Sequence, residues 1–556
     1  MIISSLVKRY ADTCEVPLGW QQREASYTLV LSEDGELLDV VPFVEEGKLK
    51  KRAFILPSTG SGRSGKNGHE TAYFLCDDGN YMLGLDRRKF ETARMLHVRL
   101  LEDVSTVAAR AIRSYFSKIP TLPQNIDAKD AATAKYVFQV NGRRVDYKDG
   151  DAEIRAAWDG AQSYEGERIR CLVTGKPDTI MRLHSKAELR GLSMGGAPLI
   201  AMNDQTSFRS YGTKPGDPPT LIGQQAAFAY VTALNELLKN VKNRQFIGGD
   251  TLVYWAEDGE GAEEDMFSWF SQPTEDDADK LDALMKMATK GTVVPKDVKF
   301  DSRFHLLCLS PGSQRIIVRF FHVDSFGVIL NNNIEHYHRM EIAKYGNDRH
   351  RYLYPWMILN ETTVSKKSSD VTPLLGGQFI YSIITGGRYP MTLYQAILKR
   401  IRAHEDVNKC KAAIIKAILM RNYDEREVTT VALNSQTCNK PYVLGRLFSA
   451  LEQLQQRASD GGLNTTIRDR YFSSACANPA SVFPTILKLS NHHAAKLDNA
   501  VFYEKLKTEL LSKLDFENPF SSSLNLDDQG RFILGYYHQT QDFFTPKKEK
   551  EEQTNV

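Results

Sequence analysis

The chain is short of the features that mark secreted, membrane-spanning and metal-clustered proteins. It has seven cysteines in 556 residues, at positions 14, 76, 171, 308, 410, 438 and 476, and no CxxC pair. An odd, unpatterned set argues against a disulfide framework or a zinc site, and predicts buried, reduced thiols in a cytoplasmic protein. No window approaches 18 uninterrupted apolar residues, so no membrane helix is expected. The start, MIISSLVKRYAD, has no long apolar run and no cleavage site, so secretion is not expected. Metal-site signatures are also missing. There is no HExxH; His336 and His338 lie two apart, and His492 and His493 are adjacent on a predicted helix, pointing to different faces. Nothing here speaks for catalysis, and neither cofactor nor metal is expected.

What is present is an ordinary globular composition, 42% hydrophobic and 25% charged, in a chain long enough for roughly two to four domains. The formal net charge of +2 hides strong sorting along the chain. Between Lys48 and Glu70 stand six basic residues (48, 50, 51, 52, 63 and 66) against one acid. Between Arg168 and Lys214 there are eight against three. Between Glu257 and Asp279 there are ten acids and no Lys or Arg. Concentrated positive charge is the footprint of polyanion binding, and a solvated face is the competing reading. The acidic run lacks the spacing of a calcium loop and reads as a surface loop.

The first basic segment contains GSGRSGKN (60–67), one residue from a phosphate-cradling P-loop, G-x-x-x-x-G-K-[ST]. Asn67 replaces the magnesium-binding hydroxyl, and NGHETAYFLCDDG follows where a helix should start. A nucleotide-dependent or metal-dependent nucleic-acid enzyme acting alone is therefore the rival reading. A glycine-rich loop presenting Arg63, Lys66 and Asn67 suits a nucleic-acid backbone or groove, and a plain hairpin tip stays open as the alternative.

The pattern predicts an α+β protein. YTLVLSEDGELLDVVPF (27–43) reads as a hairpin turning at DG, and KKRAFILP (50–57) as a strand. AYFLCDDGNYMLGL (72–85) reads as a second hairpin, and one helix is expected over about 86–118. Segments 133–142, 168–174 and 251–256 read as strands and 224–238 as a helix. RIIVRFFHV (315–323) with FGVIL (326–330) closes the strand-rich part as a hairpin. Beyond it, 389–404, 406–422, 440–459, 465–478, 483–498 and 501–514 have helical periodicity, as in an antiparallel bundle. The expected regions are 1–125 (α+β, with the glycine-rich basic loop), 126–335 (a second α+β region), 336–422 (helical connector), 423–545 (C-terminal helical bundle) and 546–556 (disordered tail). Sheets in the strand-rich half are expected to be mixed or antiparallel.

The densest unusual stretch is CLVTGKPDTIMRLHSKAELRGLSMGGAPLIAMNDQTSFRSYGTKPG (171–216). Arg182, His184, Lys186 and Arg190, then Asn203, Gln205, Arg209 and Tyr211, are the residue types of phosphate and base contacts, although an ordinary polar loop has the same composition. This stretch resembles the large subunit of type I-C CRISPR interference complexes (Cascade). YFLCDDGNYMLG, SMGGAPLIAMNDQTSFRSYG, QQAAFAYVTALNELL, LVYWAED, RIIVRFFHVDSFG and ITGGRYP carry the resemblance in order, over most of the chain.

The resemblance implies a non-catalytic subunit of an RNA-guided DNA surveillance complex. Such a subunit recognises the protospacer-adjacent motif in duplex DNA, lies at the 5′ handle of the CRISPR RNA, stabilises the R-loop and recruits a helicase–nuclease. Its partners would be CRISPR RNA, target double-stranded DNA, and the backbone, handle-binding and small subunits, with no membrane. The C-terminal bundle would resemble the small subunit, which such systems also make from an internal start; Met420 is one candidate, and a non-AUG start downstream another. On this reading Arg63, Ser64, Lys66 and Asn67 meet the DNA motif. Arg182, Lys186, Arg190, Asn203, Gln205, Arg209 and Tyr211 meet nucleic acid or the handle. Lys399, Arg402, Arg446, Arg457, Arg468 and Arg470 are candidates for the displaced strand.

Overall fold

A computed structural model of the chain describes residues 1–59, 71–120, 128–161, 167–192, 196–201, 220–257, 261–271, 277–290, 297–313, 315–343, 352–403, 405–459 and 465–545. It is an α+β protein with two compact units, Met1–Ala187 plus Pro198–Glu236, and Glu188–Ala197 plus Leu237–Val556.

The first unit begins with α1 (Ile2–Thr13), then β1 (Trp20–Ala25), β2 (Tyr27–Leu31), β3 (Leu37–Pro42), β4 (Arg52–Pro57) and β5 (Cys76–Asp78). Helices α2 (Arg87–Leu101) and α3 (Val107–Tyr115), strand β6 (Lys135–Val140) and helix α4 (Ala152–Ala161) follow. The expected hairpin at 27–43 is present as β2 and β3. The sheet runs β3–β2–β6–β5, with β2 and β6 parallel and the other pairs antiparallel. It is mixed, as expected. Side-chain alternation divides its faces: Leu29, Leu31, Phe138 and Val140 join Phe90, Ala93, Ile112 and Tyr115 of the helices, whereas Val137 and Cys76 join Ala25, Phe54 and Leu56 of the β1–β4 ribbon.

Two expectations fail here for local reasons. The pair Asp78-Gly79 does not turn a hairpin; the Asp78 carboxylate accepts from the Asn80 N–H at 3.2 Å and caps a short helix, Gly79–Met82. The helix expected over 86–118 is two, because Thr106 starts a new one by accepting from the Ala109 N–H at 3.2 Å.

Helix α5 (Gln224–Lys239) precedes β7 (Arg244–Ile247) and β8 (Asp250–Ala256), then α6 (Ala262–Ser271), α7 (Asp277–Lys290), β9 (Arg303–Pro311) and β10 (Ile316–Ser325). The second unit's sheet is antiparallel in the order β7–β8–β9–β10. Strand β10 does not pair with 326–330: helix α8 (Phe326–Met340) starts at once, burying Phe326, Ile329, Leu330, Ile334 and Tyr337. That spacing of three and four is helical, and FGVIL alone is too short to display it.

Helices complete the unit: α9 (Pro355–Asn360), α10 (Pro373–Thr385), α11 (Met391–Arg402), α12 (Lys409–Asn422), α13 (Lys440–Arg457), α14 (Ile467–Ala477), α15 (Pro479–Ala494), α16 (Val501–Ser512) and α17 (Leu526–Phe544). Each helical segment expected between 389 and 514 is present. Helix α17 was not anticipated, and with α13 it forms the bundle's centre. Their backbones touch: a Cβ on Gly445 would lie 1.9 Å from the Phe532 carbonyl oxygen, and one on Gly535 would lie 2.0 Å from that of Tyr442. Glycine is needed there for space, despite its low helix propensity.

Candidate nucleic-acid interface

The candidate motif readers Arg63, Ser64, Lys66 and Asn67 lie outside the described residues, but both flanks of that loop are fixed. Strand β4 leads in. It pairs with β1, the Ser58 N–H donates to the Gly19 carbonyl at 2.9 Å, and Gln21 Nε2 donates to Thr59 Oγ1 at 3.2 Å. Lys48, Lys50, Lys51 and Arg52, the described part of the basic segment, are all exposed. On the far flank, the Tyr73 N–H donates to Asp77 Oδ2 at 2.9 Å, and the Leu75 N–H donates to His97 Nε2 at 3.0 Å.

Asp77 and His97 are wholly buried, and Leu75 is held at a φ of 59°. His97 Nδ1 faces the Ala93 carbonyl at 2.8 Å and donates to it, which leaves Nε2 its lone pair for Leu75. Burial pushes the His97 pKa down to about 4, so the neutral ring that this arrangement needs is the stable one. An exposed basic segment, Lys48 to Arg52, thus leads into the strand that enters the loop, and two buried side chains grip the backbone that leaves it.

The second stretch divides. Arg182 and Lys186 are exposed in the first unit, and Arg190 is exposed in the second. His184, between the first two, is a core residue: its Nδ1 meets the Tyr230 hydroxyl at 2.8 Å, and burial lowers its pKa to about 4. Asn203, Gln205, Arg209 and Tyr211 lie outside the described residues. Arg190 stacks on Phe246, its guanidinium 4.5 Å from the ring centroid, with Arg244 on the same ring at 5.2 Å. Arg244, Phe246 and Trp356 belong to no sequence motif; the signal for the first two is an Arg and a Phe on one face of a strand, ahead of the Gly248-Gly249 turn.

The bundle cations also divide. Lys399, Arg457 and Arg470 are exposed and Arg402 is half-buried. Arg446 is 2% exposed; its Nε donates to Gln539 Oε1 at 3.0 Å and its Nη1 to the Ser435 carbonyl at 3.3 Å. Arg468 is held by Asp406 at 2.7 Å and the Glu405 carbonyl at 3.0 Å, over the rings of Phe472 and Tyr536. Both are committed to the fold, because the helix face that carries each one is packed. Lys411 is likewise buried, donating to Glu405 at 2.9 Å and paired with Glu361 at 3.2 Å. Burial opposes ionisation of Glu405, yet hydrogen bonds from Lys366, Lys411 and Arg400 hold its pKa down to about 2.

Of the seven cysteines, Cys76, Cys171, Cys308 and Cys476 are buried as expected, Cys14 and Cys410 are half-buried, and Cys438 is exposed. His336 is a core residue, its Nδ1 2.7 Å from the Tyr389 hydroxyl. Among the described residues no helix is long and apolar enough to cross a membrane.

Architecture and surface together define an α+β protein with exposed basic segments and a helical bundle braced by internal ion pairs. A family model described as CRISPR-associated protein (Cas_Csd1) matches residues 6–544. The chain belongs to that family, and is a CRISPR-associated protein of the Cascade type. No curated protein matches it.

Proposed function

We propose that this chain is the non-catalytic large subunit of a type I-C surveillance complex in the cytoplasm. The family match over residues 6–544 carries the reading. On it, base pairing with CRISPR RNA supplies sequence discrimination, and the protein needs only a short-motif reader and cationic surfaces. The loop of Arg63, Ser64, Lys66 and Asn67 reads the protospacer-adjacent motif, with Lys66 and Asn67 in a groove and Arg63 on phosphate. Its exposed basic lead-in and its gripped exit, at Asp77 and His97, support that role.

Arg182, Lys186 and Arg190, with Asn203, Gln205, Arg209 and Tyr211, contact the RNA handle or neighbouring subunits. Exposed Lys399, Arg457 and Arg470, with Arg402, contact the displaced strand, and a helicase–nuclease is recruited to cut. A small subunit begun at Met420 would start in the last turn of α12 and keep α13 to α17 whole.

The test is duplex binding by the reconstituted RNA-loaded complex. Replacing Arg63, Lys66 and Asn67 together by Ala is expected to weaken binding to motif-bearing duplex by at least about ten-fold, with three fewer polar contacts. The wild type is expected to show a steep salt dependence. Unchanged binding removes the loop from motif recognition.

A further inference from the structure

Two cavities in the second unit, of about 440 and 600 Å³, share Arg190, Gly191, Phe246 and Thr251 and run together as one groove. Its chemistry is selective. Phe246 carries a guanidinium at 4.5 Å from Arg190 and another at 5.2 Å from Arg244. Neither arginine meets a carboxylate among the described residues; Arg244 is oriented by donating to the Leu238 carbonyl. The two carboxylates in the lining are engaged: Glu188 faces Lys239 at 3.5 Å, and Asp250, 1% exposed, faces Arg319 at 3.7 Å. Trp356 lines the same groove with 43% of its surface exposed, uncommon for a residue that usually buries its ring. Ser368 and Ser369 are exposed along the wall, their hydroxyls donating to Asn360 Oδ1 and Asp370 Oδ1 at 2.9 Å each.

Two guanidinium groups that meet no carboxylate among the described residues, beside an exposed indole, suit a ligand that is both anionic and aromatic. The volume fits a group of nucleotide size and is too small for a duplex. A base within a duplex also has its faces covered and offers none to an indole. We infer that this groove holds an unpaired nucleotide, its base against Trp356 and its phosphate on Arg190 and Arg244. The inference rests on the nucleic-acid reading above and deepens it, placing a single-strand contact on the sheet-bearing part of the second unit, on residues other than the bundle cations. Unpaired DNA and unpaired RNA share this chemistry.

The experiment measures anisotropy of short labelled oligothymidylate and oligouridylate on the full-length chain and on the RNA-loaded complex, at one fixed salt concentration. Arg190→Ala and Trp356→Ala, both surface changes, are each expected to weaken binding about five- to ten-fold, and Trp356→Phe to retain most of it. Thermal melting verifies that each variant is folded. A stronger loss with the thymidylate assigns the groove to DNA, and with the uridylate to RNA; either supports the inference. Absence of binding by the wild-type chain overturns it, as does binding indifferent to Trp356. Equal competition by oligoglutamate also overturns it, since that would mark an acidic-peptide site. Recognition of motif-bearing duplex by the Arg63, Lys66 and Asn67 variant is read separately, so failure of the groove and failure of the loop remain distinguishable.

Discussion

The helical bundle and the strand-rich unit use their cations in opposite ways. In the bundle, α13 buries fourteen of its eighteen residues, Arg446 among them. A helix packed on every side has no solvent face, so its arginine must find acceptors inside. In the strand-rich unit, Lys48, Lys50, Lys51 and Arg52 run along a segment whose backbone lies at the surface, and all four are exposed. Equal formal charge thus does two jobs. Whether a cation faces a partner or the core is set by how much of its element is packed.

The largest test of that contrast is Arg446→Ala. It leaves Gln539 Oε1 without its donor, takes one of two donors from the Ser435 carbonyl, which Lys513 still meets, and opens a cavity between α13 and α17. The expected loss is about 3 kcal/mol, read from urea unfolding. Lys51→Ala, on an exposed stretch, should stay within about 0.5 kcal/mol. A loss below about 1 kcal/mol for Arg446→Ala would erase the distinction and return that residue to the list of strand contacts.

Acid provides the second test, and it addresses a feature that both regions share. Burial lowers the pKa of His97 to about 4, and of His336 and His538 to about 3; Arg421 and Arg339 add to the effect at His336, and Lys416 and Arg446 at His538. Unfolded, each takes up a proton near 6.5. Below that pH the unfolded state binds more protons than the folded one, so stability falls as pH drops from about 6.5 toward 3 or 4. The slope is roughly 1.4 kcal/mol per pH unit for each histidine, or about 2 kcal/mol each at pH 5. His336→Gln and His538→Gln should each reduce that slope. A urea midpoint unchanged between pH 7 and pH 5 would contradict the buried, neutral histidines. Protonating His97 in the folded state also takes away the lone pair that holds the Leu75 N–H, so on the proposed reading motif recognition weakens only as the pH approaches about 4.

Much of the fold was legible where one local rule acted alone. Alternation around SEDG marked the β2–β3 hairpin, and apolar spacing marked α11 to α16. It failed where two rules competed. Asp-Gly serves a hairpin or a helix cap; here the Asp78 carboxylate caps through the Asn80 N–H, and Ala131 and Tyr136 close on Gly79, leaving no room for a Cβ. Helix α17 carries Gly530 and Gly535, which count against a helix until the approach of α13 requires glycine at 535.

For the candidate interface, glycines and cations made the loop visible, but its grip was not. Asp77 and His97 act on backbone N–H groups four and 22 residues away. The groove is further from legibility still, since Arg190, Phe246 and Trp356 belong to three separated segments and converge only in the folded unit.

The smallest expected effect lies with the cations that the packing leaves outside. Lys399, Arg457 and Arg470 are exposed, and none makes an ion pair among the described residues. Each Ala replacement should change stability by no more than about 0.5 kcal/mol. If they track phosphates, each should weaken binding of a displaced strand only about two-fold and lower the salt slope by about one, with no dependence on base identity. The triple variant is the sharper measurement, because phosphate contacts accumulate along a strand whereas solvated cations do not. A triple variant with wild-type salt dependence would leave the bundle with no cationic track, its arginines serving the interior alone, and would shift the single-strand contact to the groove of Arg190, Phe246 and Trp356.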